Sequence, residues 1–280
     1  MLVVQEFFMF VKIKYIFFIL FLLNSVCFSA SFKLGIFPYT DPIQLIKIHN
    51  DLREHLSKEM GLDIEIYTAN DFVQYYENTK NNFYDIVITP PHFGAIHVTK
   101  GFQPLYRYDR LLKPVYVVRS DSGITKVADV KNKKIALSNH LSISSISGLV
   151  EITSNGISID KNKIINTKTH QAAVTSVIFG ESDVAITTHT PINQMSSNID
   201  MSKIKIIEGE IKVPHVFTLA SPKTDKDSVV KFKKALKNFE TTEKGKDFFA
   251  NTGFLGYTDI TKKDLDSLVL FITETKKFIE

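Results

Sequence analysis

Side chains able to bind or transform a small molecule gather at a few places in this 280-residue chain. Ser142-Ile143-Ser144-Ser145 stands where a helix should begin, within the polar run Ser138–Ser147. Free N–H groups at such a start, with the positive end of the helix dipole, bind oxyanions, and serine hydroxyls add donors without adding charge. Ser142 or Ser144 would equally serve as an ordinary N-cap. Histidines form the second group. Of eight, His92, His170 and His189 follow predicted strands, in Thr89-Pro90-Pro91-His92-Phe93, Thr169-His170 and Thr187-Thr188-His189-Thr190. His140 and His215 stand beside these segments, whereas His49 and His55 fall on a predicted helix and read as surface residues. Tyr39 and Phe93 read as cleft walls, with the Tyr39 hydroxyl available as a donor.

Other chemistries find less support. Three histidines suggest nitrogen ligation of a metal, but a zinc site needs three or four converging ligands and these are wholly non-local in sequence. Gly-x-Ser-x-Gly, Walker and dinucleotide patterns are missing, and no paired carboxylates flank the loops. The expectation is a binding protein with no catalytic residue, no cofactor and no metal.

The elements that must position these residues alternate. Strands are predicted at Phe32–Phe37, Leu62–Thr68, Asp85–Thr89, Pro114–Arg119, Lys134–Leu137, Asp183–Thr187, Ile204–Ile207 and Val213–Ala220. Between them, Ile43 to Met60 reads as a helix with Ile43, Ile46, Leu52 and Leu56 on one face and Gly61 ending it. Asp71 caps a second helix, Gln171–Phe179 reads as another, and the tail from Asp227 reads as helices. This rhythm predicts an α/β protein with parallel sheets covered on both faces. In such sheets, ligands sit outside the carboxyl ends of strands, where the serine and histidine segments fall.

Composition excludes disorder, a collagen-like chain and a disulfide scaffold: 44% of residues are hydrophobic, 23% are charged, and there is one cysteine. The apolar excess lies at the start. Lys12 and Lys14 precede the apolar run Tyr15–Leu23, and Asn24 to Ala30 turns small and polar, the pattern of a secretory signal peptide over 1–29. An uncleaved anchor is the alternative. Removing the leader takes away Cys27, Lys12, Lys14 and Glu6, which lowers the formal charge from +4 to +3. No basic stripe is left to bind nucleic acid.

Leu34-Gly35-Ile36-Phe37-Pro38-Tyr39, Tyr84 to Ile88 with Pro90-Pro91, and Val117 to Ile124 followed by Val127 to Lys133 together resemble the phosphate/phosphonate-type periplasmic substrate-binding proteins of ABC importers. Thr169 to Ala173 and Gly253 to Asp259 extend the resemblance to about 32–275. It implies a type II periplasmic binding fold, two α/β lobes joined by two β crossovers at Lys113–Tyr116 and Lys212–Val216. One lobe would hold 31–114 and 216–280, the other 115–213. The family places a Ser-Thr-Ser-Gly run at the serine loop, from which this chain departs by Ile143 and Ser145, and His170 matches a recurrent head-group donor. Thr188 and His189 stand where amine-binding relatives carry a carboxylate, so the expected ligand is an anion lacking an ammonium. The expected site is Tyr39, Thr89, His92, Ser142, Ser144, Ser145, His170, Thr188 and His189. The expected partner is an ABC permease, or alternatively a histidine kinase or chemoreceptor served by a monomeric sensor.

Overall fold

The computed structural model describes residues 31–196 and 199–279, so the expected leader lies outside the described residues. The first sheet is built from β1 (Phe32–Ile36), β2 (Ile64–Tyr67), β3 (Ile86–Thr89) and β4 (Gln103–Tyr108), then by the returning strands β12 (Phe217–Ala220) and β13 (Tyr257–Thr258). A second sheet takes β6 (Val115–Arg119), β7 (Ile135–Leu137), β8 (Ile164–Asn166), β9 (Val184–Thr187) and β10 (Ile204–Glu208). Between them lies a two-stranded ribbon of β5 (Leu111–Leu112) and β11 (Val213–Pro214).

The strand orders are β13-β4-β12-β3-β1-β2 and β10-β6-β9-β7-β8. The βαβ units pair in parallel, as expected. The sheets are nevertheless mixed. β12 runs antiparallel between β3 and β4, and β6 runs antiparallel between β9 and β10. The departure follows from the crossovers: a strand that enters a sheet after crossing from the other one arrives without a covering helix and has no need to run parallel.

Helix α1 (Pro42–Met60) starts where Asp41 accepts the Gln44 N–H and ends at Gly61, whose φ of 67° favours glycine. Its buried stripe is Leu45, His49, Leu52, Leu56 and Met60, not the expected Ile43 face; Ile43 and Ile46 are exposed. Positions 45, 49, 52 and 56 follow the helical repeat, and the histidine within them disguises the stripe in sequence. Each fully buried leucine here contributes roughly 1.5–3 kcal/mol. Helix α2 (Phe72–Lys80), capped by Asp71, and α3 (Pro91–Thr99) cover the opposite face.

The second sheet is covered by α4 (Ile143–Ser154), α5 (His170–Ile178) and α6 (His189–Met195). The chain then returns through α7 (Lys226–Thr241), α8 (Glu243–Thr252), α9 (Lys262–Asp266) and α10 (Val269–Ile279). The α1, α7 and α8 side of the first sheet encloses one core. The other side holds Phe72, Tyr75, Phe93, Phe217 and Phe271, and this core continues into Leu141, Ile143 and Ile146 at the start of α4. The first turn of α4 is thus packed on both halves of the molecule.

Candidate functional site

Several chain segments converge on one cavity of about 80 Å³, room for a handful of waters. The segment after β1 supplies Phe37 and Tyr39, and α1 supplies His49. The start of α4 supplies Ser142, Ile143 and Ser144. His170 comes from the first turn of α5, Thr188 and Thr190 from the start of α6, and His215 from the link between β11 and β12. Phe72, Tyr108 and Phe254 complete an aromatic wall. Among the described residues that line it there is no Asp, Glu, Lys or Arg. A more polar recess, lined by Thr40, Asp41, Gln44, Thr169 and Gln171, adjoins it through Tyr39, His170, Pro191 and Gln194. One carboxylate therefore stands beside the cavity, although none lines it among the described residues.

Helix α4 is held tightly against its sheet. A Cβ on Gly148 would stand 2.5 Å from Ile186 Cγ2, so only glycine allows this approach. The Tyr116 hydroxyl donates to the Gly148 carbonyl at 3.0 Å, and the buried Glu151 carboxylate accepts the Glu210 N–H at 2.9 Å. At the N-terminus Ser142 is the cap, its Oγ accepting the Ser145 N–H at 3.3 Å, and it lies 2.7 Å from Ser144 Oγ. The Ile146 N–H is taken by the Ser142 carbonyl. The N–H groups of Ile143 and Ser144 have no acceptor among the described residues, and both residues line the cavity at the positive end of the helix.

The cavity histidines are neutral. Burial pushes His49 and His170 down to about 4 and His215 to about 3, the last also beside Arg110 and Arg107. His170 Nδ1 lies 2.9 Å from Thr187 Oγ1 and its Nε2 3.5 Å from Ser138 Oγ. His215 Nδ1 accepts the Val216 N–H at 2.9 Å, which puts its proton on Nε2. His49 Nε2 lies 3.2 Å from the Tyr39 hydroxyl, whose ionisation is pushed up by burial.

Of the expected site residues, Tyr39, Ser142, Ser144, His170 and Thr188 come together around this cavity. Ser145 is buried one position deeper, and Thr89 is buried at the end of β3. His92 is fully buried in α3 and Nε2 donates to the Leu141 carbonyl at 3.0 Å, which makes it a tie within the protein. Phe93, the other expected wall residue, packs in the core. His189 does not line this cavity; it lies in an adjoining recess with Arg110, Lys113 and Glu208, its Nε2 2.6 Å from Glu208 Oε1. His92, His170 and His189 therefore do not converge, and among the described residues no group of three His, Cys, Asp or Glu is placed to hold a metal.

Sequence reasoning missed His49, which is 2% exposed and not a surface residue. The signal was its place in the 45-49-52-56 stripe. Tyr108, Phe72 and Phe254 carried no local signal, since they reach the cavity only through long-range packing.

Two α/β sheets, two chain crossings between them and a cavity at strand and helix ends define a type II periplasmic binding protein, a class that binds rather than transforms its ligand. The family model for the phosphonate ABC transporter periplasmic substrate-binding protein matches residues 34–265, and the chain belongs to that family. It is accordingly a periplasmic substrate-binding protein of an ABC transporter, a non-enzymatic class whose members take a small ligand and meet a permease. Among the described residues no helix is long and apolar enough to cross a membrane. Comparison with curated protein sequences gave no match.

Solved structures share the fold. PhnD1 from Prochlorococcus marinus, in complex with methylphosphonate, aligns with a TM-score of 0.76 at 13% identity, over 89% of this chain and 98% of that one. A binding-protein component of a phosphonate ABC transporter from Pseudomonas aeruginosa aligns with a TM-score of 0.74 at 12% identity, over 89% and 87%. A histidine kinase sensor domain similar to periplasmic binding proteins aligns at 0.60 and 15% identity, over 81% and 98%.

Proposed function

We propose that the cavity binds a small phosphonate-like oxyanion without an ammonium group, and that two lobes close over it. The observation that carries this reading is the N-terminus of α4, where Ile143 and Ser144, whose N–H groups have no acceptor among the described residues, line a cavity with no carboxylate among its described lining residues. The head group would take those N–H groups and the hydroxyls of Ser144, Tyr39 and Thr188, while His170 and His215 add neutral polar edges. An apolar substituent would rest on Phe37, Phe72 and Phe254. The methylphosphonate held by the Prochlorococcus protein has this combination of charged head and apolar tail.

The lobes are taken as 31–114 with 216–280 and 115–213. The membership of the two sheets supports this division, and the β5–β11 ribbon is the natural pivot. Differential affinity for the closed arrangement would drive closure, and the loaded monomer would then meet a permease.

Thermal unfolding with phosphate, phosphite, methylphosphonate and 2-aminoethylphosphonate tests this reading. A hundredfold excess of ligand over its dissociation constant stabilises a folded protein by about 2.7 kcal/mol. Methylphosphonate is expected to raise the midpoint more than the ammonium-bearing compound; no response to any of the four rejects the reading.

The similarity to a histidine kinase sensor domain favours a second reading, in which the same closure is sensed by a membrane receptor. Loss of phosphonate uptake in a deletion strain supports the importer, and loss of a transcriptional response with uptake intact supports the sensor.

A further inference from the structure

Tyr39 Oη and His49 Nε2 are 3.2 Å apart, and both residues line the cavity. His49 is carried there by the inward stripe of α1, between Leu45 and Leu52, and its ring packs against Phe248. Its second nitrogen, Nδ1, is buried with no hydrogen-bond partner among the described residues. A polar ring in an otherwise apolar stripe is unfavourable unless it does something an aliphatic side chain would not.

What it does follows from the proton count. A neutral imidazole carries one N–H and one lone pair. If Nε2 accepted the Tyr39 proton, the ring N–H would sit on Nδ1, buried and unanswered. If Nε2–H donates to the Tyr39 oxygen, only a lone pair is left unanswered at Nδ1. Buried N–H groups without acceptors are the rarer defect in folded proteins, so the second arrangement is favoured. It gives the pair a direction. The Tyr39 oxygen is engaged from the α1 side as an acceptor, and the hydroxyl proton, which has no other acceptor among the described residues, is left for an occupant of the cavity.

We propose that His49 is a positioning residue of the binding site, holding the Tyr39 hydroxyl through Nε2–H so that it donates to the bound oxyanion. The role rests on the anion reading above. It also fixes the chemistry of this corner: it offers a hydrogen to a ligand oxygen and rejects a ligand N–H or ammonium.

The test is a double-mutant cycle read by titration calorimetry with methylphosphonate. H49F is expected to weaken binding about tenfold or more, the size of a lost hydrogen bond to a charged group. H49Q, whose amide N–H can take over the donor role, should recover most of that loss. In a Y39F background H49F should weaken binding less than about twofold, because the hydroxyl that it orients is gone. An equal loss in both backgrounds, or H49Q no better than H49F, overturns the role. The unsubstituted protein supplies a second readout that needs no variant to fold: nitrogen NMR of the His49 ring should find the proton on Nε2, and a proton on Nδ1 overturns the role. An unsubstituted chain that binds no oxyanion, with the proton on Nε2, overturns the anion reading and the role built on it; tight binding unaltered by H49F overturns the role alone.

Discussion

His92 and Leu141 join the two halves of the molecule through one buried hydrogen bond, Nε2–H to carbonyl oxygen at 3.0 Å, with both residues fully buried. His92 rides on α3 against the first sheet, and Leu141 leads into the Ser142 cap of α4. The bond therefore fixes the start of α4 relative to α3 and the first sheet.

Replacing His92 by Phe keeps most of the packing and leaves the Leu141 carbonyl dry and unpaired. The expected loss is about 1–3 kcal/mol of unfolding free energy, measured by urea titration. A variant as stable as the parent would mean that this tie contributes nothing.

Acid should destabilise the protein through its buried rings. Burial pushes His49 and His170 to about 4, and His92, His97 and His215 to about 3. The unfolded chain takes up protons below the ordinary 6.5, while the folded chain refuses them until pH 3–4. Stability is thus full above pH 6.5 and falls as the pH is lowered through that window, by up to about 1.4 kcal/mol per pH unit for each fully buried ring. Calorimetric midpoints between pH 7.5 and 4.5 check this; a flat profile contradicts it.

Ser142 and Ser144 should separate capping from ligand contact. S142A removes the α4 cap and should cost about 1 kcal/mol of stability. S144A should leave the unfolding midpoint nearly unchanged and reduce methylphosphonate affinity. Equal thermal destabilisation by both substitutions argues that Ser144 serves the fold alone.

Gly148 offers a steric test of how α4 is seated. In G148A the new methyl meets Ile186 Cγ2 at 2.5 Å and must push the helix or the side chain aside, at about 1–3 kcal/mol. G148A should therefore cost less stability in an I186A background, which lacks Cγ2, than it costs in the parent. An equal cost in both would place the strain elsewhere.

Thr188 is the point at which ligand charge should be adjustable. T188E would add a carboxylate to the cavity lining, which has none among the described residues although Glu208 lies in the adjoining recess. It should move preference from methylphosphonate toward 2-aminoethylphosphonate in parallel titrations. An unchanged preference would show that the tail of the ligand lies away from Thr188.

The α/β class and the serine helix start were legible because each depends on neighbours in sequence, short apolar runs, turn residues and a serine before an apolar helix, whereas the two crossovers followed only from the resemblance to the family. The histidines were less legible. His92 and His189 stood in the right segments, yet a partner remote in sequence decides each: the Leu141 carbonyl for one and Glu208 for the other. Strand β4 went unseen because Pro104 and Arg107 weaken its pattern, and its place is set by β12, more than a hundred residues later. His49 failed for a related reason: a polar residue within a buried stripe looks like surface until the helix is seen to turn it inward.

Among the described residues the lining of the cavity carries no formal charge, and this bears on how the protein meets different media. Attraction between formal charges fades as dissolved ions shorten the screening length, from about 30 Å at 0.01 M to about 8 Å at 0.15 M. Hydrogen bonds and helix-end dipoles at contact distance inside a closed cleft are hardly touched by it. Capture by such a cleft should therefore stay nearly constant across a wide range of ionic strength, in dilute surroundings and in saline ones alike.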